Sequence, residues 1–152
     1  MNRYPTETLD PDEDDGTMPN NVEALRQAVV GHRIAKAERS KVRVIDPEYG
    51  WPETGDALVL TLDDGRSVVL MNEADCCAYT ELEAFLAHPE RVNHVITGVG
   101  TTDGYTRWHI YADMGDVLEL TVGWSGGNLG YYGYGFNIVV SDGPPEVVES
   151  DE

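Results

Sequence analysis

The sequence predicts an α+β fold in a single domain: a curved antiparallel β-sheet of about six strands with one or two short helices packed on it. Three observations carry that prediction. ALVLTL and SVVLMN alternate in period two around DDGR. The second half repeats a strand–turn pattern through VNHVITGV, YTRWHIYAD, VLELTVGW and FNIVV. VEALRQAVVG and ELEAFLA instead carry apolar residues at helical spacing. At 152 residues the chain can bury one core without disulfide or metal support.

Each element has a local reason. Asn21 is placed to cap a helix whose Val22, Leu25, Ala28 and Val29 share one face, and Gly31 can end it. Residues 33–38 and 41–45 read as extended. DPEYGWPETGD, with two prolines and two glycines, reads as a loop. The Asp64-Gly65 pair sets a tight β-hairpin turn. Thr80 and Glu83 form a capping box for a second helix that buries Leu82, Phe85 and Leu86, stopped at His88-Pro89. The meander then turns at TTDG and at MGD. In its last long strand Leu118, Leu120, Val122 and Trp124 share one face, with Glu119 and Thr121 on the other, as in an antiparallel sheet covered on one side. A glycine-rich link, SGGNLGYYGYG, leads into FNIVV.

Charge divides the chain. Residues 1–20 hold six acids against Arg3 alone, and residues 141–152 hold five acids and no base. Both ends are poor in groups that could offset ordering entropy by burial, so they are expected to be disordered acidic tails around a globular unit at 21–140. Within that unit Arg26, Arg33, Lys36, Arg39, Lys41 and Arg43 crowd eighteen residues with Glu38 the only acid among them. They read as a solvated strand edge, or more sharply as an anion-binding patch or a dock for the chain's own acidic tails.

No apolar run approaches the roughly 20 residues that span a bilayer, and no basic-then-apolar leader stands at Met1. The expectation is a cytoplasmic protein with reduced thiols and no membrane contact. A net charge of −18 argues against nonspecific attraction to nucleic acid.

Several segments taken together resemble a known family. DCC at 75–77, GYTRWHIYADMGDVLELTVGW at 104–124 and GNLGYYGYGFNIVV at 127–140 look like those of small uncharacterised proteins of bacteriophages, notably actinobacteriophages, and of actinobacteria. The resemblance covers roughly residues 31–140. It implies a phage or prophage accessory protein working in the host cytoplasm, and it supplies no activity and no catalytic residue.

The only two cysteines, Cys76 and Cys77, are adjacent. In an extended chain they point to opposite sides, which suits a shared ion poorly; zinc would also need two of His88, His94 and His109. A vicinal disulfide needs a strained ring. A nucleophilic Cys77 ahead of a helix would be opposed by Asp75. The preferred reading is structural: one thiol packs toward the sheet and the other under the helix. Asp75 turns the chain and Thr80 and Glu83 start that helix.

Catalytic signatures are missing: there is no GxSxG elbow, P-loop or HExxH. GYGFNI and GVGTTDG open no helix, so they cradle no phosphate. DPDEDDG lacks the ligand spacing and closing Glu of a calcium loop. No catalytic residue, cofactor or metal ligand is assigned.

The candidate binding surface is the link. Trp124, Asn128, Tyr131 and Tyr132 stand among glycines that let a backbone approach a partner closely, and tyrosines give rigid contact area with a polar tip. Arg107 and His109, read on one face with Tyr105 and Tyr111, add polar anchors. The competing reading is a sheet that bends sharply at its glycines. The functional expectation is non-catalytic binding of a host or phage protein. Alternatives are a small-ligand pocket under the link, or a small enzyme using Asp75, His109 and Cys77.

Overall fold

The computed structural model describes residues 9–45, 50–75, 77–127 and 133–148. Its elements in chain order are α1 (Thr17–Val29), β1 (Ile34–Ile45), β2 (Pro52–Leu62), β3 (Ser67–Met71), β4 (Glu73–Asp75), β5 (Ala78–Ala87), a 3-10 turn (Pro89–Arg91), β6 (Gly98–Thr102), β7 (Arg107–Ala112), β8 (Gly115–Ser125), β9 (Asn137–Ser141) and β10 (Glu146–Val147). The class is α+β. The detail differs from expectation: the strands form two antiparallel sheets of five, ordered β10-β1-β2-β3-β9 and β4-β5-β8-β7-β6.

The DDGR hairpin sits where the alternation places it. Thr61 pairs Ser67 across the turn, and Gly65 at φ +89° occupies the left-handed position that glycine adopts without a Cβ penalty. Every residue of β3 is buried. Its two faces serve two clusters: Val68 and Leu70 face the main core, while Val69 and Met71 join Val42, Val44, Ala57 and Val59 on the opposite side. Of DPEYGWPETGD, expected as a loop, residues 52–56 belong to β2, with Pro52 pairing Ile45, and residues 46–49 lie outside the described residues. The expected extended segments at 33–38 and 41–45 form one continuous strand from Ile34 to Ile45, with Arg33 just before it.

The main core lies between the sheets. Leu58, Leu60 and Leu62 from one sheet and Trp108, Ile110, Leu118, Leu120 and Val122 from the other share a cluster with Met18, Val22, Leu25 and Val29 of α1. Trp108 is fully buried, satisfies its indole by donating Nε1–H to the Tyr105 carbonyl at 2.9 Å, and meets Phe136 edge-on. Burying such an aromatic supplies both apolar area and a fixed ring geometry.

The second predicted helix is a strand. Residues 78–87 form β5, paired to β4 and β8. The reason is a β-bulge: the register shifts between Leu82 and Ala84, leaving Glu83 as an extra residue. Ala78, Thr80 and Leu82 face inward in period two, and beyond the bulge the inward position falls on Phe85, opposite Leu120. The extra residue thus spaces Leu82 and Phe85 three apart, which imitates a helical stripe.

The ends of the folded unit also lie outside the expected boundaries. α1 starts at Thr17, with the Asp15 side chain accepting from the Thr17 amide at 3.2 Å and Asp14 from the Met18 amide at 3.2 Å. Asn21 is therefore inside the helix and does not cap it. At the other end β10 pairs with β1, Val147 opposite Val42, so residues 146–147 are part of a sheet where a disordered tail was expected.

Candidate functional site

The order of the meander holds for β6, β7 and β8, but its first strand is displaced: β6 begins only at Gly98, so residues 92–97 of VNHVITGV lie outside it, and Thr101 and Thr102 belong to the strand and not to the turn. After β8 the chain does not add a neighbouring strand. It crosses to the other sheet, where β9 pairs with β3. The Tyr/Gly link is that crossing. Of its two described stems, Ser125–Gly127 continues from β8, with Ser125 paired to Tyr79 of β5, and Gly133–Phe136 is held by polar groups from the β4–β5 hairpin, α1 and the residues just before α1.

The β4–β5 hairpin supplies the first set. Asp75 Oδ2 accepts from the Gly133 amide at 3.1 Å, and Thr80 Oγ1 accepts from the Gly135 amide at 2.7 Å. Thr80 is fully buried, so its hydroxyl satisfies a backbone donor that water cannot reach. Gly127, at φ +57°, passes so close over the hairpin tip that a Cβ there would lie 2.9 Å from the Cys77 carbonyl oxygen.

α1 and the residues just before it supply the second set. Asn21 accepts from the Phe136 amide at 2.9 Å and donates to the Phe136 carbonyl at 2.9 Å. The Tyr134 hydroxyl shares its single proton between Asp14 Oδ1 at 2.5 Å and Asp15 Oδ1 at 2.8 Å, and accepts from the Asp15 amide at 3.1 Å. Burial, and after it the Asp14 carboxylate, push the Tyr134 phenol well above its ordinary range. Hydrogen bonds from Thr17 and then Tyr134 hold the Asp15 carboxyl below its usual value. Tyr134 also stacks on Trp124, ring centroids 5.7 Å apart, and Trp124 donates Nε1–H to the Gly104 carbonyl at 2.8 Å.

The residues expected to matter are distributed as follows. Asn128, Tyr131, Tyr132 and Cys76 lie outside the described residues. Trp124 is partly buried on the core side, against Tyr134 and edge-on to Tyr105. Arg107 and His109 alternate with the core residues Trp108 and Ile110, so they lie on the outer face of their sheet with Tyr111. Tyr105 does not join them: it sits in the β6–β7 turn at φ +63°, buried under Trp124.

Arg107 is exposed, whereas His109 is buried with Nδ1 3.2 Å from Asp116 Oδ2 and Nε2 3.2 Å from Thr102 Oγ1. Asp75 and Thr80 meet the link directly, so the hairpin and the link form one site. Glu83 caps nothing; it is the exposed bulge residue of β5. Cys77 is exposed at a hairpin tip, which corrects the expected burial beneath a helix: no helix follows it. The Asp75–His109–Cys77 constellation is not assembled, because no cluster of ligating side chains among the described residues contains Asp75 or Cys77.

A family model described as a domain of unknown function (DUF7448) matches residues 27–138. The chain belongs to this family. The DUF7448 span takes in the last turn of α1, both sheets up to the first residues of β9, the DCC hairpin and the whole crossing. It leaves out Asp14, Asp15 and Asn21, so in this chain the Tyr134 and Phe136 anchors join residues inside the DUF7448 span to residues before it. Comparison with curated proteins and with solved structures returned no match.

Two features escaped the sequence reading. Asp14 and Asp15 looked like part of a solvated charge run, and only the contact with a tyrosine 119 or 120 residues away distinguishes them. Tyr79, 40% exposed on the hairpin that holds the link, was hidden by the helix assignment. The basic strand, in contrast, does dock part of the acidic C-terminal segment, one of the two sharper readings of its charge: β10 pairs with it, Glu146 lies 3.8 Å from Arg43, and Arg39 and Lys41 line a cleft of about 590 Å³ with Asp56, Asn72 and Val148. Among the described residues no helix is long and apolar enough to cross a membrane.

Proposed function

We propose that this protein acts by binding another protein, without catalysis, through the crossing between its two sheets and the adjoining hairpin. Tyr131, Tyr132 and Asn128 are the contact residues of the crossing. Tyr79 and Arg107, on the open face of the neighbouring strands, extend the surface. The partner is a host or phage protein, and the setting is that of a phage-type accessory factor in the host cytoplasm.

One observation carries this reading: the C-terminal stem of the crossing is fixed by hydrogen bonds to Asp75, Thr80, Asn21 and the Asp14–Asp15 pair, while the first stem leaves β8 at Ser125, still paired with Tyr79 of β5. A loop whose ends are fixed on rigid elements loses less entropy when it engages a partner. Loops set on such scaffolds are where binding residues concentrate.

The test is affinity capture from the natural host cell, comparing the intact chain with a Tyr131→Ala, Tyr132→Ala variant of equal thermal stability. Any protein lost with the variant is then titrated against the purified chain. The reading expects at least one such protein, with direct binding weakened roughly tenfold or more, the loss of one hot-spot side chain or greater. Recovery of every interactor by both forms removes the surface.

A second reading has its own observation. Beneath the C-terminal stem lies a recess of about 440 Å³ lined by Asp75, Gly133, Tyr134, Gly135, Phe136 and Asn137. It is of a size that suits a small ligand. In that case Asn137→Ala, at the rim, would abolish a ligand-induced rise in Tm while leaving the protein-capture result unchanged.

A further inference from the structure

We propose that His109, Asp116 and Glu119 form a binding site for a divalent transition-metal ion on the outer face of the β6–β8 sheet. His109 and Glu119 are directly opposite each other across β7 and β8. Asp116 would ordinarily point to the other face, since it is an odd number of residues from Glu119. The register shift between Ile110 and Tyr111 inserts Val117 as an extra residue and turns Asp116 to the same side. A bulge that re-aims a carboxylate toward a histidine is the kind of local irregularity that accompanies a functional site.

The donor atoms are already gathered. His109 Nδ1 lies 3.2 Å from Asp116 Oδ2 and 4.0 Å from Glu119 Oε1, and all three ligand atoms fall within 4.8 Å of one another. An ion with ligand distances of about 2.0–2.2 Å separates its donors by roughly 3.0–3.5 Å, so a small movement of Glu119 completes the set. One imidazole with two carboxylates favours zinc, iron, cobalt or manganese over magnesium or calcium, which prefer oxygen alone.

The surroundings orient these ligands. Thr102 Oγ1 is 3.2 Å from His109 Nε2 and can accept its proton, leaving the Nδ1 lone pair for the ion. His88 Nε2 is 2.6 Å from the far oxygen of Glu119 and positions that carboxylate. Arg107 opposes the ion: its Nη2 lies 3.9 Å from Glu119 Oε1. Its side chain is half exposed and can swing away, and two carboxylates against one guanidinium still leave a net negative charge.

The other histidine–carboxylate group, His32 with Asp63 and Asp64, differs in this respect. There Arg66 places its Nη2 2.8 Å from His32 Nε2 and its Nε 2.7 Å from Asp64 Oδ2, so a guanidinium already occupies the cluster.

The test is titration of the full chain with Co²⁺, followed by its visible absorption bands, and with Zn²⁺ by calorimetry. One saturable site is expected. Asp116→Asn and Glu119→Gln should each weaken it roughly tenfold or more, Arg107→Ala should tighten it, and Asp63→Asn should leave it unchanged. Absence of a one-to-one site, or equal affinity in Asp116→Asn and Glu119→Gln with the fold intact by circular dichroism, would overturn the proposal. Should those variants fail to fold, Mn²⁺ broadening of the wild-type amide signals decides the matter: His109 and Glu119 must broaden before Asp63 and Asp64.

Discussion

Tyr134 and Asp14 are 120 residues apart in sequence, and their side-chain oxygens are 2.5 Å apart in the fold. Asp14 also caps the start of α1 through the Met18 amide. One contact therefore fastens the C-terminal stem of the crossing to the first helix, and both groups are buried.

Tyr134→Phe removes the donor and leaves a buried carboxylate with one partner fewer. The expected loss is about 1–3 kcal/mol, read from urea denaturation with the slope unchanged. The pH profile carries a matching signature. A phenol whose pKa is raised by folding stabilises the fold fully below its ordinary value of about 10, and that contribution fades as pH climbs above it. Asp15 acts in the opposite sense: its lowered carboxyl contributes above the ordinary 3.8, and the contribution fades as pH falls through the lowered value. Tyr134→Phe should abolish the alkaline loss due to this group.

Thr80 and Glu83 separate the strand from a capped helix. Thr80→Val strands the buried Gly135 amide and should cost about 1–3 kcal/mol. Glu83→Gln should change stability by less than about 0.5 kcal/mol, as for an exposed position. A real capping box would make both substitutions costly. Chemical denaturation of the two variants distinguishes the cases.

The glycines of the link are not equivalent. Gly127 combines a left-handed φ with the Cys77 carbonyl directly beneath, whereas a Cβ on Gly133 would meet nothing within 4 Å. Gly127→Ala is therefore expected to lower stability by about 1 kcal/mol or more, and Gly133→Ala to be near neutral. Thermal melts of the two variants suffice.

Legibility in the sequence followed the range of the interactions. The Asp64-Gly65 hairpin and the outer–inner alternation of β8 were readable because turn chemistry and period two are local signals. β5 was misread because a single extra residue, Glu83, changed the spacing of Leu82 and Phe85 from two to three. The two-sheet arrangement was hidden because nothing local to FNIVV states that it pairs with SVVLM, about 70 residues earlier, and not with VLELTVGW. At the site, the importance of Asp75 and Thr80 was visible but their partner was not: the capping and turn roles assigned to them are short-range, and their actual acceptors' work is at Gly133 and Gly135. Asp14 and Asp15 were lost within a charge run whose composition outweighed any single residue.

The claim on which the functional reading rests is that the C-terminal stem of the crossing is rigidly held. Native-state hydrogen exchange at the amides of Gly135 and Phe136 tests it most directly, since these donate to Thr80 and Asn21. Protection comparable to that of the β2–β3 ladder is the expected result. Exchange of both amides at the rate of an unstructured chain, with the ladder still protected, would contradict it.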